Sequence, residues 1–217
     1  MITGRSLTSA SHIDRSKTDF YPTPPQATLA LLGWLIGENA ISKTETVWEP
    51  ACGQGHISEV IKQFGINTYS TDKYDDSYSP ELLDFLTVGE NPAESDWIIT
   101  NPPFSEAEEF IRKSLEFGTP FAMLLKSQYW HSSRRRKLFE ETNPSAVLPL
   151  TWRPDFQFGA RGGSPTMEVQ WTVWGIGGSN TRYEPLAKPT MGAAGRWLPV
   201  EPVQVDPQPH EIGEATA

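Results

Sequence analysis

Eight consecutive residues, Trp97-Ile98-Ile99-Thr100-Asn101-Pro102-Pro103-Phe104, constrain this chain more than any other stretch. β-formers run into a polar residue, two prolines and an aromatic ring, and the acidic helical pattern Ser105-Glu106-Ala107-Glu108-Glu109-Phe110 follows at once. Such a pattern predicts a buried strand that ends in a stiff corner and opens a helix. Pro102 and Pro103 remove two backbone donors and fix φ, so the corner is expected to carry carbonyls that nothing local satisfies. A rigid, acceptor-rich corner beside an aromatic ring suits a planar amine held through its N–H groups.

The remainder of the chain must supply a fold around that corner. With 217 residues it is long enough for one α/β domain with a full core and short for two. A formal net charge of -9 argues against a protein that simply coats nucleic acid, because phosphate affinity comes from clustered Lys and Arg. It leaves room for an enzyme with a local basic groove. The single cysteine, Cys52, excludes an internal disulfide framework and fits a reducing compartment. No apolar run reaches the roughly 18 residues that a membrane span needs, and the start of the chain lacks an apolar signal region. The expectation is a soluble, cytoplasmic protein with no membrane partner.

Two further strand-to-helix units precede the corner. Thr46-Val47-Trp48-Glu49 leads into Pro50-Ala51-Cys52-Gly53-Gln54-Gly55, then a helical pattern from Ile57 to Phe64 closed by Gly65. Gly53 and Gly55 let a ligand approach the backbone, and the helix start offers N–H groups to an anion. The dinucleotide pattern G-x-G-x-x-G is not met, since its third glycine is missing. A second strand, Asn67 to Thr71, ends at Asp72, where a carboxylate is placed to accept the two hydroxyls of a ribose. Asp84-Phe85-Leu86 precedes the Trp97 strand, and an Asp-Phe pair can pin and cover a purine. Upstream, Asp19-Phe20-Tyr21-Pro22-Thr23-Pro24-Pro25 predicts Thr23 as an N-cap with Pro24 at the first helical position.

In that order, residues 19–25, Glu49 to Gly55, Asp72, Asp84-Phe85-Leu86 and Asn101-Pro102-Pro103-Phe104 resemble the S-adenosylmethionine-dependent methyltransferases, specifically the DNA adenine-N6 type found among phage enzymes. The cofactor loop before the catalytic tetrapeptide is similar to the family's gamma arrangement. The resemblance implies a Rossmann-like α/β fold, with a mostly parallel central sheet, helices on both faces and an antiparallel final strand. It implies Asn101, Pro102, Pro103 and Phe104 as catalytic residues. For S-adenosylmethionine it implies Tyr21 and Thr23 from the N-terminal arm, Glu49, Ala51, Gly53 and Gly55 from the loop, Asp72 on the ribose, and Asp84 with Phe85 on the adenine. If the chain is phage-encoded, its compartment is the host cytoplasm. Two departures stand out: only about a dozen residues separate Asp72 from Asp84, so the usual helix and third strand there must be shortened, and no long recognition domain follows.

The downstream sequence fits such a fold. Pro120 to Leu125 is expected as a strand buried on both faces. His131 to Thr142 is a polar helix carrying Arg134, Arg135 and Arg136. Ala146 to Leu150 and Met167 to Trp174 are expected as the last two strands. Between them, a glycine-rich loop carries Arg153, Phe156, Phe158 and Arg161, a composition suited to a substrate loop; the resemblance implies nucleic acid, most directly DNA, as the partner. The five arginines are expected to line one groove, and Phe156 or Phe158 to cover a base opposite Phe104. Residues 1–17 and 178–217 are expected as a disordered arm and a Pro/Gly-rich acidic tail around a domain at 18–177. His56 has no partner at metal-ligand spacing, so no metal is expected, and Cys52 reads as a small packing residue. Two other functions use the same corner: methylation of a protein glutamine, whose amide also presents a planar NH2, and a non-catalytic cofactor-binding subunit. Phe104 where the glutamine enzymes mostly carry Tyr favours adenine, and an intact tetrapeptide disfavours a scaffold.

Overall fold

A computed structural model describes residues 21–75, 78–79, 81–156 and 165–190. Phe158 and Arg161, like Asp19 and Phe20, lie outside the described residues.

Seven strands form one sheet in the order β2-β1-β3-β4-β6-β5-β7. In chain order the elements are α1 (Pro25–Gly37), β1 (Thr46–Glu49), α2 (His56–Gln63), β2 (Asn67–Ser70), β3 (Trp97–Thr100), α3 (Ala107–Phe117), β4 (Phe121–Lys126), α4 (Ser133–Thr142), β5 (Ala146–Pro149), β6 (Val169–Trp174) and β7 (Arg182–Tyr183). β2, β1, β3 and β4 pair in parallel, and β6 runs antiparallel to both β4 and β5. This is the expected mostly parallel Rossmann-like sheet with an antiparallel strand near its end.

Residue alternation sorts the sheet into two layers. Val47, Trp97, Ile99, Ala122, Leu124, Trp171 and Val173 pack on the side of α1 and α2, with Leu31, Leu35, Ile57 and Ile61. Trp48, Ile98, Phe121, Met123, Leu125 and Trp174 pack on the side of α3 and α4, with Phe110, Ile111 and Leu138. The period of two along each strand thus covers both faces with helices, as continuous apolar strands require. The indoles are tied down as well as buried: Trp171 Nε1 donates to the Ala27 carbonyl (2.8 Å) and Trp48 Nε1 to Thr71 Oγ1 (2.9 Å).

The shortening expected after Asp72 is present. Among the described residues, nothing regular lies between β2 and β3 except one parallel bridge from Asp72 to Leu82. The expected boundary at residue 178 needs correction, because the sheet continues past it. β7 pairs in parallel with β5, Leu186 bridges Leu150, and Leu186 is 7% exposed. The Leu186 N–H donates to the Pro149 carbonyl (2.8 Å) and its own carbonyl accepts from Thr151 N–H (3.1 Å). A two-residue strand in a proline-rich context leaves no periodicity to read. Residues 191–217 lie outside the described residues.

Candidate active site

The strand ends of β1, β2 and β3 lie side by side, so their following loops face one cavity. Its lining includes Tyr21, Thr23, Glu49, Ala51, Gly53, Asp72, Asp84, Phe85, Asn101 and Pro103. Most of the expected cofactor residues thus share one space with Asn101 and Pro103 of the expected catalytic corner, whereas Pro102 and Phe104 do not line it and Phe104 borders a separate cavity.

The loop after β1 is pinned by backbone bonds. Thr71 N–H donates to the Glu49 carbonyl and Cys52 N–H to the Thr71 carbonyl (both 3.0 Å), while Gly55 N–H closes onto the Cys52 carbonyl (2.7 Å). Gly53 and Gly55 take φ values of 50° and 79°, conformations that a side chain disfavours. Gly53 N–H points at Asp72 Oδ2 (2.8 Å), and Asp72 Oδ1 accepts Tyr74 N–H (2.9 Å). Asp72 thus ties the loop to the end of β2, and each of its oxygens retains a second acceptor position. Gly55 does not line the cavity. It is the N-cap of α2, and a Cβ there would stand 2.2 Å from the Tyr78 ring. Asp84 is held by its own turn, Oδ1 accepting Leu86 N–H (3.0 Å).

Glu49 is 2% exposed. Its Oε2 accepts the Ser58 N–H (2.8 Å) and the Ser58 hydroxyl, which in turn shares a 2.6 Å bond with the Ser70 hydroxyl. Burial pushes the Glu49 carboxyl up to about 8, against the downward pull of the Ser58 bonds. Burial also pushes the Cys52 thiol up, with Glu49 and Asp72 adding to it, so Cys52 stays a protonated packing group. His56 borders the cavity, and desolvation lowers its pKa. Among the described residues, no three His, Cys, Asp or Glu side chains cluster as a metal site.

At the corner, the Asn101 amide has a fixed sense. Nδ2 donates to the Tyr21 carbonyl (2.9 Å) and to Thr23 Oγ1 (3.0 Å). A carbonyl can only accept, so the amino end must face Tyr21 and the oxygen must face away. Asn101 Oδ1 is buried and has no hydrogen-bond partner among the described residues. Thr23 therefore does not cap α1 as expected: the cap position is Pro24, no side chain caps it, and the Thr23 hydroxyl is committed to Asn101. The corner is also less acceptor-rich than its sequence implies, because the Pro103 carbonyl accepts the Glu106 N–H (2.9 Å) of the helical turn that follows.

The aromatic residues redistribute. Tyr21 leans on Phe104 with ring centroids 5.3 Å apart and meets Phe156 edge-on at 6.0 Å. Phe156 is 6% exposed and packs in the α1-side core, not opposite Phe104. Phe85 is 1% exposed, stacked on Phe110 at 4.8 Å and edge-to-face with Trp48 at 5.1 Å, so its ring is a core member rather than an open platform. Tyr74, 42% exposed, is the most exposed aromatic residue lining the same cavity. Sequence reasoning missed it, although Asp72-Lys73-Tyr74 places it two residues beyond the strand-end carboxylate. Lys73, also missed, is held by both oxygens of Glu106 (3.1 and 3.0 Å), which links the β2 loop to the turn after the corner.

The four described arginines of the expected groove do not form a single patch, and Arg161 lies outside the described residues. Arg134 and Arg135 both pair with Glu108 (2.8 and 2.7 Å), while Arg136 pairs along its helix with Glu140 (2.8 Å). Arg153 pairs with Glu168 (2.6 Å) and lines other cavities than the one Arg135 lines. Helix α4 buries little beyond Leu138 and Thr142, so a charged i,i+4 pattern covers most of it.

No family model matches the chain, and no curated protein matches its sequence. Solved structures do match its fold. A candidate RNA methyltransferase from Pyrococcus horikoshii superposes with a TM-score of 0.56 at 15% identity, over 72% of this chain and 86% of that one. The methyltransferase subunit of a type I restriction-modification system from Streptococcus thermophilus gives 0.57 at 13% identity, over 77% and 47%. A candidate class I S-adenosylmethionine-dependent methyltransferase from Listeria monocytogenes gives 0.52 at 12% identity, over 76% and 65%. The chain spans about half the length of the restriction-modification subunit. The chain shares a Rossmann-like α/β fold with these three solved structures.

Proposed function

We propose that this protein transfers a methyl group from S-adenosylmethionine to the N6 amine of adenine in DNA. One observation carries the reading: Asn101 is held by its amino end and turns a buried, unpartnered carbonyl oxygen away from its two anchors. Leaving such an acceptor unpaired costs about 1–3 kcal/mol, which a substrate N–H recovers.

The cavity residues suit the cofactor by charge and shape. When bound, S-adenosylmethionine supplies an electrophilic methyl on a sulfonium, together with a cationic amine and a ribose diol. Glu49, Asp72 and Asp84 offer three carboxyl groups to those functions, and Gly53 lets the loop backbone lie close. Tyr74 replaces Phe85 as the ring offered to the cofactor's adenine.

For the acceptor, the adenine N6 lone pair is delocalised into its ring and nucleophilically weak. Asn101 Oδ1 and the Pro102 carbonyl accept its two N–H bonds and draw the nitrogen towards tetrahedral geometry. The lone pair then localises and is aimed at the methyl carbon. As the N–C bond forms and the C–S bond breaks, positive charge grows on nitrogen, and two fixed oxygens stabilise it more in the transition state than in the ground state. The surplus proton leaves afterwards to solvent, so no titrating base is needed at the corner. Phe104 stacks on a base swung out of its helix. Asn101 Oδ1 is shielded from solvent, so neighbouring groups must give way to admit the base.

The test is transfer of a labelled methyl group to duplex DNA, single-stranded DNA, RNA and protein, with mass spectrometry of the labelled nucleoside. N6-methyladenine in DNA supports the reading; 5-methylcytosine or labelled glutamine overturns it.

A further inference from the structure

On the α4 side lies a second cavity of about 350 Å3, which Phe104 borders and whose other lining residues the methyl-transfer chemistry leaves unused. Its lining brings together Lys126 from the end of β4, Gln128 and Tyr129 from the turn that follows, and Ser132 and Arg135 from the start of α4. Among the described residues no carboxylate lines it, the nearest acidic partner being Glu108, which holds Arg135 from behind. Lys126 makes no ion pair among the described residues, and its ammonium rests 4.6 Å from the centre of the Phe104 ring. Arg135 is differently held: its guanidinium lies over the Tyr129 ring at 4.2 Å, and one nitrogen is fixed by Glu108 at 2.7 Å. The Tyr129 hydroxyl is buried without a partner among the described residues. Burial raises its pKa to about 12, so it remains a donor. Ser132 Oγ caps the ten-residue helix α4 by accepting the Arg135 N–H (3.3 Å), which puts the positive end of that helix at the rim.

Two cations and a helix start border this cavity beside the ring proposed to stack on the target base, with the shielded Tyr129 hydroxyl in the same turn. We infer that this cavity is a phosphodiester subsite, which seats the backbone phosphate next to the target nucleotide. The inference rests on reading Asn101 to Phe104 as the acceptor corner, and it narrows the substrate to a polynucleotide. A planar ring with cations next to it matches a nucleotide, whose base and phosphate are separated by one sugar. Lys126 supplies the unneutralised charge, and Arg135 and Tyr129 supply oriented donors. The subsite also explains how an acidic chain engages a polyanion: contact is local, made by few residues and almost without base readout.

The experiment is a salt titration of fluorescence anisotropy with a short adenine-containing single-stranded oligonucleotide. Wild type, Lys126→Met and Tyr129→Phe are compared, with S-adenosylmethionine affinity measured calorimetrically on the same samples. Lys126→Met is expected to weaken oligonucleotide binding about five- to tenfold and to make the slope of log K against log salt shallower by about one. Tyr129→Phe should weaken binding about two- to threefold with the slope unchanged, because only a neutral donor is lost. Cofactor affinity should stay within about twofold in both variants. Unchanged oligonucleotide affinity and slope in Lys126→Met overturn the subsite, as does a Lys126 effect confined to binding of an acidic glutamine peptide. Failure of the wild type to bind S-adenosylmethionine refutes the methyltransferase reading instead, and the salt slopes still decide whether the cavity takes phosphate.

Discussion

At the scale of single residues, two side chains are forced into an unusual state by their surroundings. Asn101 is oriented by Thr23, so the hydroxyl matters even though it never meets the acceptor. Thr23→Val is expected to lower kcat about tenfold to a hundredfold with cofactor affinity little changed, because the amide loses one of its two anchors. Thr23→Ser should restore most of the rate, and equal rates for Val and Ser would separate Thr23 from the chemistry. Glu49 is the other. Its carboxyl ordinarily titrates near 4.5 and in the fold near 8. Between those values the folded chain binds one more proton than the unfolded chain, so stability falls as pH rises. The stabilisation is fully present below about 4.5 and lost as pH passes through about 8. A cationic cofactor favours the carboxylate and expels that proton, so cofactor affinity should rise with pH by up to about tenfold per unit between about pH 6 and 8. Calorimetry in buffers of different ionisation heat measures the released proton directly; Glu49→Gln should release none and bind with a flat pH profile.

At the scale of elements, the loop between β1 and α2 shows what local sequence makes legible and what it does not. Gly53 and Gly55 read as a pair, yet they do different work. Gly53 lies in the cavity and donates to Asp72, whereas Gly55 sits at φ 79° beneath the Tyr78 ring. Gly55→Ala is therefore expected to cost about 1–3 kcal/mol in urea unfolding. Adding Tyr78→Ala should recover only part of it, since the ring overlap is relieved and the backbone strain is not; full recovery would show that the overlap alone was limiting. The strands, the order of loops and the sharing of one cavity by Glu49, Asp72, Asp84 and Asn101 were legible because each follows from short-range patterns ending at a strand terminus. Phe156 was not placed correctly, because an aromatic in a loop reads the same whether it faces a ligand or the core; Phe85 does both, bordering the cavity while its ring packs on Phe110. Thr23 looked like a helix cap because Thr-Pro-Pro is a local signal, while its real partner, Asn101, is 78 residues away. Arg134 and Arg135 hid their acidic partner for the same reason: Glu108 lies on a different helix.

At the scale of the whole molecule, the sheet outlasts the expected domain boundary. Arg182 N–H donates to the Ser145 carbonyl, Glu184 N–H to the Val147 carbonyl, and the Arg182 guanidinium pairs with Glu38 beyond α1. A chain ending at Gly178 is expected to lose about 2–4 kcal/mol of unfolding free energy, from the edge hydrogen bonds and the burial of Leu186. An unchanged urea midpoint would show that β7 is ornamental. Sheet, loops and corner together make one claim: a carbonyl oxygen at the end of β3 waits for a substrate N–H, while the cofactor occupies the adjoining loops. The direct measurement is single-turnover transfer of labelled methyl to an adenine-containing oligonucleotide by wild type and Asn101→Ala, with cofactor affinity measured in parallel. The account predicts that Asn101→Ala reduces transfer at least about a thousandfold, leaves cofactor affinity within a few-fold, and that the wild-type product is N6-methyladenine. Near-normal turnover by Asn101→Ala, or equal losses of cofactor affinity and rate, would contradict it.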